Sequence, residues 1–195
     1  MKVIGITGGV GAGKSAVLDF LQNQCGAYVV KADEVGHKVM EPGQKCYDEI
    51  IRLFGEKIVK DDKSIDRKAI SDVVFSETEK LAALNAIVHP TVRQYIMETM
   101  NRKLEEGCSL FIVESAILLE VNYQEFCDFV WYIYTNPKVR AERLQQSRGY
   151  SLKKIEEIIA NQPSDEYYRS HTDYVIDNSN DFESTSEQIR RGLEL

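Results

Sequence analysis

The sequence has no apolar run approaching the roughly 18–20 residues of a membrane-spanning helix. Met1-Lys2-Val3 leads straight into an apolar segment rather than a leader, so a cytoplasmic protein is expected. Cysteine is sparse and scattered: Cys25, Cys46, Cys108 and Cys127 include no Cys-x-x-Cys pair and have no histidine at zinc-finger spacing. That pattern fits reduced thiols and argues against a disulfide framework. His37, His89 and His171 lie far apart and form no His-x-x-x-His pair, so nothing points to zinc. Positive charge is in deficit, with 24 Lys and Arg against 31 Asp and Glu, a net charge of −7. An acidic chain has no global attraction for nucleic acid or an anionic membrane, and neither partner is expected. Low-complexity segments, internal repeats and Gly/Ser/Pro linkers are also lacking.

What is present is an ordinary globular composition, 43% hydrophobic and 28% charged over 195 residues, enough for one core or one core with insertions. Short apolar runs alternate with stretches of helical period. Val3–Thr7, Tyr28–Val30, Leu110–Val113, Phe129–Tyr134 and Tyr174–Ile176 read as strands, and Lys14–Leu21 as a helix. Strands separated by helices, some continuously apolar, predict a three-layer α/β fold on a parallel five-stranded sheet. The gap from the second to the third strand is too long for a simple crossover. Its helical patterns predict a helix over Asp48–Phe54 stopped by Gly55, another over Leu81–Val88, and a long one opened by Pro90 and ending near Gly107. The domain expectation is a single unit over 1–195, with a helical substrate-binding insertion over about 34–108 and a charged helical lid over about 138–165.

Directly after the first strand comes Gly8-Gly9-Val10-Gly11-Ala12-Gly13-Lys14-Ser15. This is the phosphate-loop pattern of Gly, four residues, Gly-Lys-Ser, between a strand and a helix. Glycines let the backbone curl so that successive N–H groups face a polyphosphate, and the helix adds its positive N-terminal end. Lys14 can reach the β- and γ-phosphates and the Ser15 hydroxyl can ligate Mg²⁺. A nucleoside triphosphate held by Gly11, Ala12, Gly13, Lys14, Ser15 and Ala16 is therefore expected. The Asn-Lys-x-Asp segment with which GTPases read guanine is absent. A small core with two insertions suits a kinase of a small metabolite. The alternatives are a kinase of another nucleotide-like metabolite, of the nucleoside monophosphate type, and a non-catalytic nucleotide switch.

Two carboxylates follow strands, at the end where parallel sheets bind ligands. Glu114 can hold Mg²⁺ or its water, or simply face solvent. Asp33 can act as a base on an attacking hydroxyl, or cap the next helix. The residues alone leave both choices open.

The chain resembles the dephospho-coenzyme A kinase family over nearly its whole length. The resemblance is carried by Gly5–Ser15, Ala32-Asp33, Asp66-Arg67, Val74-Phe75, Leu84–Pro90, Glu114–Glu120, Arg143-Leu144, Gln162, Asp173 and Val175–Asn178. It implies the phosphate-loop triphosphatase fold, and ATP- and Mg²⁺-dependent phosphorylation of the ribose 3′-hydroxyl of dephospho-coenzyme A by a monomer or small homo-oligomer. By the same resemblance Lys14, Asp33 and Arg143 are catalytic, with Asp33 the base. Asn178 joins the ATP site, Asp33, Arg67, His89 and Glu114 contact the acceptor, and Ser15 and Glu114 serve the metal; Arg140 is expected at the ATP site as a cation of the late helical stretch, not from the family pattern. Surface pairing for Arg67, a helix start for His89 and a turn for Asn178 are the plainer accounts of those residues. The chain departs from the family pattern in having Lys31 for the first Asp of Asp-Ala-Asp, Glu114 for Asp, and Arg140 for Gln. Ser147 also stands for an Arg, with Arg148 one place later. Arg140, Arg143 and Arg148 belong to a stretch, Arg140–Arg148, predicted to close over the triphosphate, in a helix opened by Pro137; an ordinary solvated helix face is the plainer account of the same spacing.

Overall fold

The computed structural model describes residues Met1–Leu195. In chain order the elements are β1 (Lys2–Thr7), α1 (Lys14–Cys25), β2 (Tyr28–Lys31), α2 (Ala32–Lys38), α3 (Tyr47–Phe54) and, after a 3₁₀ turn, α4 (Arg67–Ser76). They continue with α5 (Thr78–Glu105), β3 (Leu110–Glu114), β4 (Phe129–Tyr134), α6 (Pro137–Arg148), α7 (Leu152–Ala160), α8 (Asp165–Ser170), β5 (Tyr174–Asp177) and α9 (Phe182–Leu193). Every strand anticipated from the apolar runs is present. Most gain a residue at one end, as expected for boundaries that side-chain pattern alone does not mark.

The five strands form one sheet in the order β2-β3-β1-β4-β5, and β1 runs parallel to both its neighbours. β4 and β5 are also parallel. Register sets Ile6 of β1 beside Glu114 of β3 on one side and Trp131 of β4 on the other. Because these strands share a direction, the segments after β1, β3, β4 and β5 leave the sheet at the same edge.

The chain divides into two compact units. The first comprises Met1–Val29 and Lys103–Leu195. Its core packs Val17, Leu18 and Leu21 of α1 and Ile189 of α9 against Ile4, Ile6, Ile112, Trp131, Ile133 and Ile176 on one face of the sheet. The opposite face carries Phe111, Val113, Leu118 and Tyr132, all buried. Tyr132 stacks on Tyr168 of α8 with ring centroids 4.6 Å apart, which places helices on both faces.

The second unit, Val30–Arg102, is helical apart from the last two residues of β2 and an antiparallel bridge between Val59 and Ile65. Val35, Ile50, Phe54, Ile58, Ile70, Val92 and Ile96 are buried within it. α3 ends at Gly55, as its sequence signals. α4 begins behind Asp66, whose carboxylate accepts the Lys68 and Ala69 N–H groups.

The expectation of two helices around Pro90 is corrected: α5 is one helix of 28 residues with Pro90 inside it. An interior proline removes one backbone hydrogen bond and costs about 3 kcal/mol or more. Here Val92, Ile96 and Thr99 are buried at helical spacing just beyond it, so tertiary burial outweighs the local preference. His89 consequently sits mid-helix, not at a helix start. No helix is long and apolar enough to cross a membrane.

Candidate functional site

β1 ends at the fully buried Thr7, and the loop that follows reaches Lys14 as the first residue of α1. Gly13 is the N-cap, with φ 82°, and no side chain caps the helix. The first N–H groups of α1 are thus left to backbone, solvent or an anion. Lys14 Nζ donates to the Gly8 carbonyl at 2.7 Å, folding the side chain back across the loop. The same ammonium lies 3.6 Å from Glu114 Oε1, with both side chains largely shielded from solvent. Glu114 is itself buried, 8% exposed, so the solvent-facing alternative for this strand-end carboxylate is excluded. Ser15, on the first turn of α1, is exposed.

α6 brings two arginines to the loop. Its N-terminus is set by Asn136, whose side chain accepts the Lys138 N–H, and by Pro137 in the first turn. Arg140 Nε donates to the Val10 carbonyl at 2.5 Å, and its Nη2 donates to Gln162 Oε1. The Val10 N–H donates to the same Gln162 oxygen at 3.3 Å. A Cβ on Gly9 would meet the Arg140 guanidinium, which would have to shift from its place over the loop to admit a side chain. Burial pulls the Arg140 pKa down from its ordinary value, opposed by Tyr132 and Tyr168. One turn later Arg143 Nη1 reaches the Thr135 hydroxyl at 3.4 Å. Arg148 is the last residue of α6 and is exposed, its guanidinium carbon 5.9 Å from the Tyr150 ring centre.

Asn178, just beyond β5, is 4% exposed. Its Nδ2 donates to the Ala12 carbonyl at 2.9 Å and its Oδ1 accepts from Thr185 at 3.0 Å. Its amide therefore bonds inside the protein and does not face out toward a base. The first unit thus gathers Gly11 to Ala16, Glu114, Arg140, Arg143 and Asn178 along one sheet edge.

The second unit carries the other three expected residues. Asp33 is exposed in the first turn of α2, one residue inside the helix, with Lys31 as N-cap, so it is not the cap that the sequence allowed. Arg67 opens α4 and is exposed. His89 is half-buried, and that burial lowers its pKa. Sequence reasoning missed Thr135 and Thr185, and gave no role to Gln162. Nothing local marks them, because their partners lie far away along the chain.

This arrangement can hold a polyphosphate on backbone N–H groups and place an ammonium and two guanidinium groups around it, which is the equipment of phosphoryl transfer. Comparison with known proteins agrees. The family described as Dephospho-CoA kinase matches residues 2–184. A Dephospho-CoA kinase of Aquifex aeolicus is 36% identical over 194 residues, covering 100% of this chain and 97% of that protein. One from Carboxydothermus hydrogenoformans is 33% identical over 190 residues, covering 97% and 91% respectively. The solved dephospho-CoA kinase from Campylobacter jejuni superposes with a TM-score of 0.73 at 25% identity, covering 100% of this chain and 96% of that one.

Proposed function

The chain belongs to the dephospho-CoA kinase family, and from that premise we propose how its residues divide the work of an ATP-dependent phosphotransferase acting on dephospho-CoA. The observation that carries the assignment is the Lys14 ammonium, 2.7 Å from the Gly8 carbonyl and 3.6 Å from the Glu114 carboxylate, at the start of a helix with no side-chain cap.

Gly11, Ala12, Gly13, Lys14, Ser15 and Ala16 hold the triphosphate, with backbone N–H groups taking the oxygens and Lys14 bridging the outer phosphates. On binding, Lys14 exchanges the Gly8 carbonyl for phosphate. Glu114, already beside it, keeps the ammonium on the loop's side of the sheet edge. Arg143 neutralises charge on the transferring group from α6, and Arg140 fixes Val10 and Gln162 at the loop's entrance. Asn178 serves the ATP site through the loop it braces. The stretch of about 138–165, which spans α6 and α7, is the lid that closes over the triphosphate and excludes water as a competing acceptor.

Ser15 and Glu114 supply a hydroxyl and a carboxylate, hard oxygen donors that suit Mg²⁺, which takes few protein ligands and completes its shell with water and phosphate. A Mg²⁺ held by these two side chains would supply charge neutralisation to the triphosphate. In the second unit Asp33 accepts the proton of the ribose 3′-hydroxyl, and its exposure at the start of α2 leaves the carboxylate accessible for that role. Arg67 and His89 hold the acceptor, Arg67 as the cation for its phosphates.

Product analysis tests the assignment. The protein is incubated with ATP, Mg²⁺ and one acceptor at a time: dephospho-CoA, adenosine, a nucleoside monophosphate, pantothenate or shikimate. A new 3′-phosphate on dephospho-CoA alone is expected. Phosphorylation of the nucleoside monophosphate instead, or hydrolysis independent of acceptor, would overturn it.

A further inference from the structure

The Ala12 carbonyl, in the middle of the phosphate loop, receives two side-chain donors: the Thr135 hydroxyl and Asn178 Nδ2, each at 2.9 Å. Thr135 follows β4 and Asn178 follows β5, so both reach the loop from the sheet edge it shares. The Asn178 amide is held in one orientation. Its backbone N–H bonds the Tyr134 carbonyl at 2.9 Å, and the Thr185 hydroxyl of α9 donates to Oδ1 at 3.0 Å. Flipping the amide would set its oxygen against the Ala12 carbonyl, two acceptors face to face. Thr135, Asn178 and Thr185 are no more than 4% exposed, so water cannot replace a missing bond cheaply.

A trans peptide points its C=O and N–H in opposite directions. Holding the Ala12 carbonyl toward β4 and β5 therefore aims the N–H of Gly13, which shares that peptide, away from them. In a loop of this pattern that N–H belongs to the set that faces phosphate. We infer that Thr135, Asn178 and Thr185 are positioning residues that lock the Ala12–Gly13 peptide and so set the loop's affinity for polyphosphate. This rests on the reading that the loop holds the ATP triphosphate. Space at Gly13 fits the lock, since a Cβ there would lie 2.2 Å from Asn178 Nδ2. Arg143 Nη1, 3.4 Å from the Thr135 hydroxyl, ties α6 to the same group.

The test uses the full chain with Thr135→Val, which removes the hydroxyl at nearly constant shape, Thr135→Ser, which keeps it, and Lys14→Ala. ATP and inorganic tripolyphosphate are titrated calorimetrically, and kcat and both KM values are measured. Thr135→Val is expected to weaken both ligands by about tenfold, the scale of one hydrogen bond. KM for dephospho-CoA should stay near wild type, and Thr135→Ser should recover most of the affinity. Should Thr135→Val fail to fold, Thr185→Val, which frees the Asn178 amide, carries the same expectation. Wild-type affinity for both ligands in the valine variant, alongside lost affinity in Lys14→Ala, would overturn the lock and leave the loop assignment standing. Weakened ATP with unchanged tripolyphosphate would move these residues to the nucleoside and also overturn it. An equal loss in every parameter that serine does not restore would reduce Thr135 to a structural residue. Unchanged binding of both ligands by Lys14→Ala would overturn the loop assignment and the lock together.

Discussion

Replacing Gly13 by alanine puts the loop's construction to a quantitative test. Gly13 has φ 82° and would present its new Cβ 2.2 Å from Asn178 Nδ2, a buried amide that cannot swing into solvent. The left-handed backbone alone costs an L-residue about 1–2 kcal/mol. Displacing the amide breaks its bonds to Ala12 and Thr185, and a buried polar group left unpaired adds about 1–3 kcal/mol. Gly13→Ala is therefore expected to destabilise by about 2–5 kcal/mol. Gly149 supplies the control, since its φ is 64° with nothing within 4 Å of its built Cβ. Gly149→Ala should show only the backbone share, about 1–2 kcal/mol. Equilibrium urea denaturation followed by circular dichroism gives both shifts from the transition midpoints. A double-variant cycle isolates the clash. Once Asn178→Ala has removed the amide, Gly13→Ala should cost less than in the wild type, with coupling of about 0.5–3 kcal/mol. Equal costs at Gly13 and Gly149, together with strict additivity in the cycle, would refute the argument that the amide fixes this glycine.

Asp33→Asn should keep ATP and dephospho-CoA affinity in calorimetry and lose about 10²–10⁴-fold in transfer rate, the usual contribution of a positioned base; equal loss of ATP binding would make it a metal or structural residue. Arg143→Ala should lower kcat by about 10²-fold or more, whereas Arg148→Ala, exposed at the end of α6 beside Tyr150, should stay near wild type in the same steady-state assay; wild-type kcat in Arg143→Ala would remove that guanidinium from the reaction. Burial lowers the His89 pKa below its ordinary 6.5, so the unfolded chain takes up the proton first as pH falls. Stability linked to His89 is thus fully present above about pH 6.5 and declines below it, and His89→Gln should flatten that decline in melting curves taken from pH 7.5 to 5; an unchanged slope would dismiss the linkage.

The parts of this fold that local physics determines were legible from the chain. β3 and β4 announce themselves as unbroken apolar runs because both faces of a parallel sheet are covered, and Leu110–Glu114 is buried throughout. The phosphate loop is legible for a related reason: its glycines, Lys14 and Ser15 are adjacent in sequence, and each is needed at a fixed offset from the end of a strand. Gly55 and Pro137 mark a helix end and a helix start, since both act through their own backbone. Asp33 could be placed after β2 on the same grounds. That it lies inside the first turn of α2, behind Lys31, depends on where the helix nucleates, and the side-chain pattern does not fix that to one residue.

What stayed hidden depends on partners brought together by the whole fold. Pro90 reads as a helix start because its ring favours one, and only the burial of Val92 and Ile96 shows why the helix runs through it. Asn178 shows the same limit in the site itself. Within Asp177-Asn178-Ser179-Asn180 it is indistinguishable from a turn residue. Its bond to Ala12 spans 166 residues of chain, and the Thr135 bond to the same carbonyl spans 123. A loop built largely of glycine has little stiffness of its own, because glycine gives up the most conformational freedom on folding. Its shape must therefore be imposed by neighbours. The strand order that puts β4 and β5 beyond β1 on one side is what lets two distant segments reach the same carbonyl. In this sense the topology serves the chemistry. The order β2-β3-β1-β4-β5 carries Glu114 to one flank of the loop and Thr135 and Asn178 to the other, so a flexible motif acquires a fixed form from both sides.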